Sequence, residues 1–300
     1  MPLADLPGST TGPDAAVVRV LSYNIRSMRD DREALARVIR ACTPDVVCVQ
    51  EAPRFFRWRK AAAWLARETG LVYTTGGATA AGPMILTSLR AHVEHAEDTL
   101  LPRVPGLHRR GFATAVLRFG GGHRDPGARA SADGARKGDP GARGSGDGAL
   151  ESDPGARGSG DGAPESADGV RLGVVSCHLS LAEAERYEQA GLLLDHLAAL
   201  DVPYAIAAGD INDRPDGLAF RRIAGRLRDG WATEPWGSEA TSNPKNPHQR
   251  IDAVFASEGV EIIGCGVPAG LPGVTDADLL AATDHLPVLA ALRLPRLAPA

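Results

Sequence analysis

Lysine is almost missing from this chain: of 33 Lys and Arg residues only Lys60, Lys137 and Lys245 are lysines, and 37 acidic residues set the formal net charge at -4. Without an excess of positive charge no global field draws the chain onto nucleic acid or anionic lipid, so any polyanion binding has to be local. Cysteine is scarce as well. Cys42, Cys48, Cys177 and Cys265 form no CxxC pair, and in or beside apolar runs such thiols are expected to be reduced core residues rather than zinc ligands or disulfides. Long apolar runs are missing too, since nothing approaches the ~18 continuous apolar residues of a membrane span. Residues 1–16 lack the basic start and apolar stretch of a secretory signal. These absences predict a cytoplasmic protein with no membrane span, a flexible N-terminal tail over residues 1–16 and no oligomer signal.

What is present suits a globular chain: 300 residues, 43% hydrophobic and 23% charged, enough for one large domain. Residues 120–169 stand apart, composed almost wholly of Gly, Ala, Arg, Asp, Ser, Pro and Glu. Asp-Pro-Gly-Ala-Arg starts at Asp125, Asp139 and Asp153, and Gly-Ser-Gly-Asp-Gly-Ala at Gly144 and Gly158. A repeat this short, with no apolar side chains to stack, has no burial to offset the entropy of ordering it. A disordered low-complexity insertion is expected. Its flanks, Phe112 to Phe119 and Val170 to Cys177, read as two strands of a hairpin, so the insertion replaces a hairpin loop within a domain running over 17–300.

Further strands are predicted at 17–23, 45–49, 84–87, 204–208, 251–256, 260–267 and 288–294, and helices at 33–41, 55–68 and 182–200. Helix–strand alternation together with hairpins implies mixed sheets with helices outside. Polar residues gather at the strand ends. Asn24, Glu51, His178 and the pair Asp210, Asn212 follow their strands, whereas Asp252 and the pair Asp284, His285 stand at or before the start of theirs. If the last two strands run antiparallel to the first four, all six clusters meet at one edge.

Taken singly, each cluster has a plainer explanation. Asn24 and Asp210-Ile211-Asn212 are ordinary turn and cap chemistry. His178 on an apolar strand is commonly a satisfied core histidine, and Asp284-His285 makes a capped turn. Crowded together, Glu51, Asp210, Asp252 and Asp284 would repel one another unless a cation or protons offset the charge. Oxygen ligands favour a hard ion, Mg²⁺ with Mn²⁺ as a substitute. Amides and imidazoles around such an ion are the donors and bases that phosphoester hydrolysis requires. Just beyond Glu51, the stretch Arg54 to Lys60 mixes cations and aromatics. Phe55, Trp58, Ala62 and Leu65 at helical spacing are expected in the core, with Arg54 or Arg57 as phosphate contacts.

The stretches Ser22-Tyr23-Asn24-Ile25-Arg26, Val49-Gln50-Glu51, Ser176-Cys177-His178-Leu179, Gly209-Asp210-Ile211-Asn212, Arg250-Ile251-Asp252 and Thr283-Asp284-His285-Leu286-Pro287, in this order, resemble the motifs of the endonuclease/exonuclease/phosphatase superfamily, the deoxyribonuclease I-like fold. The resemblance implies a four-layer α/β sandwich of two packed mixed β-sheets flanked by helices, hydrolysing phosphoesters with Mg²⁺. It further implies that Glu51 is the principal metal carboxylate, helped by Asn24 and Asp284. Asp210 would align or deprotonate water, Asn212 would donate to a phosphate oxygen, and His285 would contact the scissile phosphate with Asp252 orienting it. His178 would contact phosphate or assist the leaving oxygen. Abasic-site endonucleases of the superfamily carry an acidic residue where this chain has Arg26 and an Asn where it has His178, which turns the expectation away from DNA repair. Phosphodiesterase or nuclease chemistry is favoured over phosphomonoesterase chemistry, with nucleic acid or a phospholipid headgroup as the substrate. The alternative from another class is a catalytically silent binding module that retains the fold.

Overall fold

The computed structural model describes residues 6–120 and 169–297. Its first sheet contains β1 (Thr10–Thr11), β2 (Ala15–Asn24), β3 (Val46–Gln50), β4 (Val72–Gly76), β5 (Met84–Thr87), β12 (Glu261–Gly266) and β13 (Val288–Pro295), in the order β12-β13-β2-β3-β5-β4 with β1 paired to β2. The second contains β6 (Ala91–Leu100), β7 (Gly111–Phe119), β8 (Val170–His178), β9 (Tyr204–Asp210), β10 (Arg228–Asp229) and β11 (Asp252–Ala256), in the order β10-β11-β9-β8-β7-β6. Helices α1 (Arg32–Cys42), α2 (Trp58–Thr69) and α6 (Asp276–Ala282) belong with the first sheet, and α3 (Glu183–Ala198) and α4 (Leu218–Ala224) with the second. A single turn, α5 (Gly230–Thr233), follows β10.

Strand alternation builds three apolar layers. Even-numbered residues of β2, β3, β8, β9, β11 and β13 fill the space between the sheets, among them Val18, Val20, Cys48, Val174, Ile206, Val254 and Ala290. Odd-numbered Leu21, Tyr23, Val47 and Leu289 pack outward on Leu35, Ile39 and Leu65 of the helices. Val175, Ala207 and Phe255 do the same against Leu193, Phe220 and Ile223. The result is the expected four-layer α/β sandwich.

Strand directions meet the condition set by the sequence. β2 runs parallel to β3 and β8 parallel to β9, whereas β11 is antiparallel to β9 and β13 antiparallel to β2. The predicted hairpin forms, with Phe112 opposite Cys177 and Phe119 opposite Val170. Of the predicted disordered insertion over 120–169, residues 121–168 lie outside the described residues.

Three expectations are corrected. The flexible tail does not extend to residue 16, because Leu6 is buried and the carbonyls of Leu6 and Pro7 accept hydrogen bonds from the Arg19 guanidinium at 2.8 and 3.0 Å. Phe55 is not in the core. Helix α2 begins only at Trp58, after Arg57 in a left-handed conformation, and leaves Phe55 79% exposed. Strand β6 is absent from the predicted elements because its sequence, AHVEHAEDTL, lies at the exposed edge of its sheet and carries no buried alternating face. The four cysteines are buried and free, as expected. No helix among the described residues is long and apolar enough to cross a membrane.

Candidate active site

The inward-facing rows change from apolar to polar as they approach one edge of the sandwich. Val18 and Val20 lead to Ser22 and Asn24; Val46 and Cys48 lead to Gln50; Leu172 and Val174 lead to Ser176 and His178; Ile206 and Ala208 lead to Asp210; and Ala256 and Val254 lead to Asp252. The same period-two rule that fills the core therefore aims four of the candidate side chains into one rim. Beneath them lies a buried polar platform. Gln50 Nε2 donates to the Cys48 carbonyl at 2.9 Å and to Ser176 Oγ at 3.4 Å, and Ser176 Oγ donates to the Val49 carbonyl at 3.0 Å. Gly209 lets β8 and β9 approach here, since a Cβ at that position would run into the Cys177 carbonyl.

Asp210 is the hub. Its Oδ2 accepts from Asn24 Nδ2 at 3.0 Å and lies 3.4 Å from His178 Nε2 and 3.8 Å from His285 Nε2, while its Oδ1 accepts from the Asn212 backbone N–H at 2.9 Å. Asn24 Nδ2 also reaches Glu51 Oε1 at 3.4 Å on its own sheet, so its bond to Asp210 links this corner of the first sheet to the second. Glu51 and Asn212 leave the strand alternation through left-handed backbone, each with φ of 53°. This is a costly conformation for residues other than glycine, and one concentrated at functional sites. Arg26, Ser27 and Met28 are left-handed as well. The Ser27 N–H bonds the Glu51 carbonyl at 2.8 Å, and Arg26 Nε meets Asp284 Oδ2 at 3.2 Å.

His285 Nδ1 stands 2.9 Å from Asp252 Oδ2, whereas Asp252 Oδ1 is buried with no hydrogen-bond partner among the described residues. The two histidines are driven apart in charge. Burial works against the charged form of His285, but the charge and hydrogen bond of Asp252, with Asp210 and Asp284 adding, push its pKa up to about 10. Burial pulls His178 down to about 3, with Asp210 opposing and Arg110 assisting. Asp210, Asp252 and His285 each offer a donor atom within 4.8 Å of the others, a cluster able to hold a cation.

A cavity of about 350 Å³ opens over these groups, lined by Glu51, His178, Asp210, Asn212 and His285 from the predicted set and by Arg54 of the predicted phosphate contacts. Asn24 and Asp252 stand behind it. Asp284 is exposed and outside the lining, next to His285 in the chain and paired with Arg26. Arg57 is not brought in. It is exposed, and its guanidinium lies over the Phe56 ring, 4.9 Å from the centroid. Ser27, His108, Arg110 and Leu181 line the cavity without having been singled out in the sequence. For Arg110 the signal was legible: it precedes β7, and in a hairpin the start of β7 lies beside the end of β8, where His178 sits.

Comparison with known proteins agrees with this architecture. Residues 21–285 match the family model described as Endonuclease/Exonuclease/phosphatase family. Among solved structures, an endonuclease/exonuclease/phosphatase from Bacteroides vulgatus superposes with a TM-score of 0.60 at 17% identity, covering 93% of this chain and 99% of that one. The mannosyl-6-phosphatase of Bacteroides thetaiotaomicron gives 0.61 at 15%, covering 92% and 99%. Truncated TDP2 of Caenorhabditis elegans gives 0.58 at 15%, covering 92% and 97%. At these identities the likeness concerns the fold. No curated protein matches the sequence significantly.

Proposed function

Since the chain belongs to the endonuclease/exonuclease/phosphatase family, we propose that it is a divalent-metal-dependent phosphoester hydrolase, acting on a phosphodiester in preference to a phosphomonoester. The observation that carries this reading is the Asp210, Asp252 and His285 cluster, drawn from three strand ends and joined through Asn24 to Glu51. Beside that cluster, Glu51 lines the cavity with no cationic partner among the described residues and lies 3.4 Å from Asn24, which also bonds Asp210, an oxygen-rich donor set that fits a hard cation, Mg²⁺ or Mn²⁺. Glu51 would hold the ion with Asn24 and Asp284 beside it. Bound there, a divalent ion supplies positive charge against the phosphate as negative charge develops.

The chain's own residues do the rest. Asp210, fixed by Asn24 and by the Asn212 backbone, is a carboxylate positioned to orient the attacking water and take its proton. His285 is an imidazolium at neutral pH, held through Nδ1 by Asp252, and its Nε2–H serves as a donor to a non-bridging phosphate oxygen. Asn212 spends one amide N–H on the Leu179 carbonyl, at 2.9 Å, and keeps the other for the phosphate. His178 is neutral near pH 7 and so assists the leaving oxygen by a hydrogen bond rather than by giving up a proton.

The test is a substrate panel with Mg²⁺, Mn²⁺ and EDTA: plasmid DNA, abasic duplex, single-stranded RNA, sphingomyelin and inositol phosphates. Metal-dependent hydrolysis of at least one phosphodiester is expected. Inactivity on all of them with both metals would favour the silent binding module instead.

A further inference from the structure

We propose that Arg110 is a substrate-binding residue of this cleft and that the group it takes is a phosphoryl oxygen. The inference deepens the hydrolase reading and rests on it for the identity of the substrate. It starts from a comparison of Arg110, which is half-buried, with two buried arginines. Arg19 gives its guanidinium to Leu6, Pro7, Cys42 and Thr43 oxygens, at 2.7–3.1 Å. Arg250 gives its own to Asp229 at 2.8 Å and Glu239 at 3.2 Å. Arg110 has no such set. Its Nε is buried with no partner, and its side chain makes no hydrogen bond or ion pair among the described residues. A guanidinium carries five N–H donors and keeps its charge at any physiological pH, so a half-buried fork whose buried Nε has no partner, and which meets Asp210 and Glu51 only at a distance, is left for a ligand to complete.

The surroundings identify the ligand as an anion. Arg110 lines the same cavity as Arg54, Asp210 and His285. Arg110 and Arg54 both lie within electrostatic reach of His178, which itself touches Asp210. Arg54 spends one N–H on the Ala81 carbonyl, at 3.1 Å, and keeps the rest of its fork. Two partly unspent guanidiniums beside the hub carboxylate suit the paired oxygens of a phosphoryl group, which a planar fork binds two at a time. The backbone holds this arm in place. The Arg110 carbonyl accepts from the Leu101 N–H at 3.0 Å, and Gly111 is wedged against the Ala80 and Thr99 carbonyls so closely that a Cβ there would collide with both.

The experiment uses the whole chain and two variants, Arg110→Met and Arg110→Lys. Melting is followed in EDTA as inorganic phosphate is titrated, and kinetics are measured on whichever panel substrate is hydrolysed. Wild type is expected to melt higher as phosphate is added. Arg110→Met should melt at or above wild type without phosphate, because a half-buried charge with no ion-pair partner has gone, should lose the phosphate response, and should raise KM by at least ~10-fold. Arg110→Lys should retain part of both, since an ammonium keeps the charge without the fork. Failure of Arg110→Met to fold, or a lower melting point, would make the residue structural and overturn the proposal. So would a phosphate response that is missing in wild type or unchanged in the variant. A wild type that responds to phosphate yet hydrolyses nothing would end the hydrolase reading and leave the subsite standing. Hydrolysis with an unaltered KM in Arg110→Met would do the reverse.

Discussion

Strand β3 has a carboxylate at each end, Asp45 just before it and Glu51 just after it, and the two have opposite fates. Asp45 is 2% exposed and saturated: it accepts the Arg19 backbone N–H at 3.0 Å, Ser88 Oγ at 3.0 Å and the Arg90 guanidinium at 2.9 and 3.1 Å. Glu51 is half-buried on a strained left-handed residue, has no cationic partner within ion-pair distance among the described residues, and touches only an amide at 3.4 Å. One end spends its charge on holding the sheet; the other keeps it available. The difference shows how two acids flanking one strand divide: the one whose lone pairs are taken holds structure, and the one whose lone pairs are largely unspent is open to a ligand.

The largest effect that would break this comparison is at the saturated end. Asp45→Ala strands three sets of donors and should lower stability by about 3 kcal/mol, read by urea unfolding, with turnover per folded molecule unchanged. A stable Asp45→Ala, or one that loses turnover while folded, would show that the two ends are not divided in this way. At the other end, Asp210→Ala or His285→Ala should still fold, His285→Ala with the loss of whatever stability its imidazolium contributes, and should cut turnover per folded molecule by at least ~10²-fold. Near-normal turnover in either would remove these residues from the chemistry. A smaller effect is expected for Glu51→Gln, which keeps the shape but not the charge: the Mg²⁺ midpoint of activity should rise several-fold, and an unchanged midpoint would place the ion elsewhere.

The subtlest test concerns pH. His285, raised to about 10 in the folded chain, contributes stability that is complete below its ordinary value near 6.5 and is lost as pH climbs from there towards 10. His178, lowered to about 3, contributes stability that is complete above about 6.5 and is lost as pH falls towards 3. Melting in EDTA should therefore be highest near neutrality. His178→Asn should flatten the acid side of the profile and His285→Asn the alkaline side. A profile unmoved by either substitution would contradict the charge states on which the proposed roles depend.

Much of the fold was legible because strand periodicity is local. Runs such as Val18 to Asn24 and Leu172 to His178 reveal both a strand and the face that turns inward, and the polar residue ending each inward row marks the rim. What escaped were elements whose signal is weak or non-local. Strand β6 is held by its neighbour rather than by a buried face of its own. Phe55 continues a helical pattern that Arg57 interrupts through its backbone conformation. Of the two candidate phosphate contacts, Arg54 lines the cavity and Arg57 turns onto Phe56, a choice that spacing does not encode.

By itself the sequence determined the inward and outward faces of the strands, the ordered polar motifs and the hairpin beside the repeat, since each depends on residues close together in the chain. Only the tertiary structure decided that Asp45 is saturated while Glu51 is free, that Asn24 bonds Asp210 across 186 positions, and that Arg110 stands unpaired beside them. Those outcomes depend on which strands become neighbours and in which direction they run, and it is long-range packing that decides whether a charged group meets a partner or an open cavity.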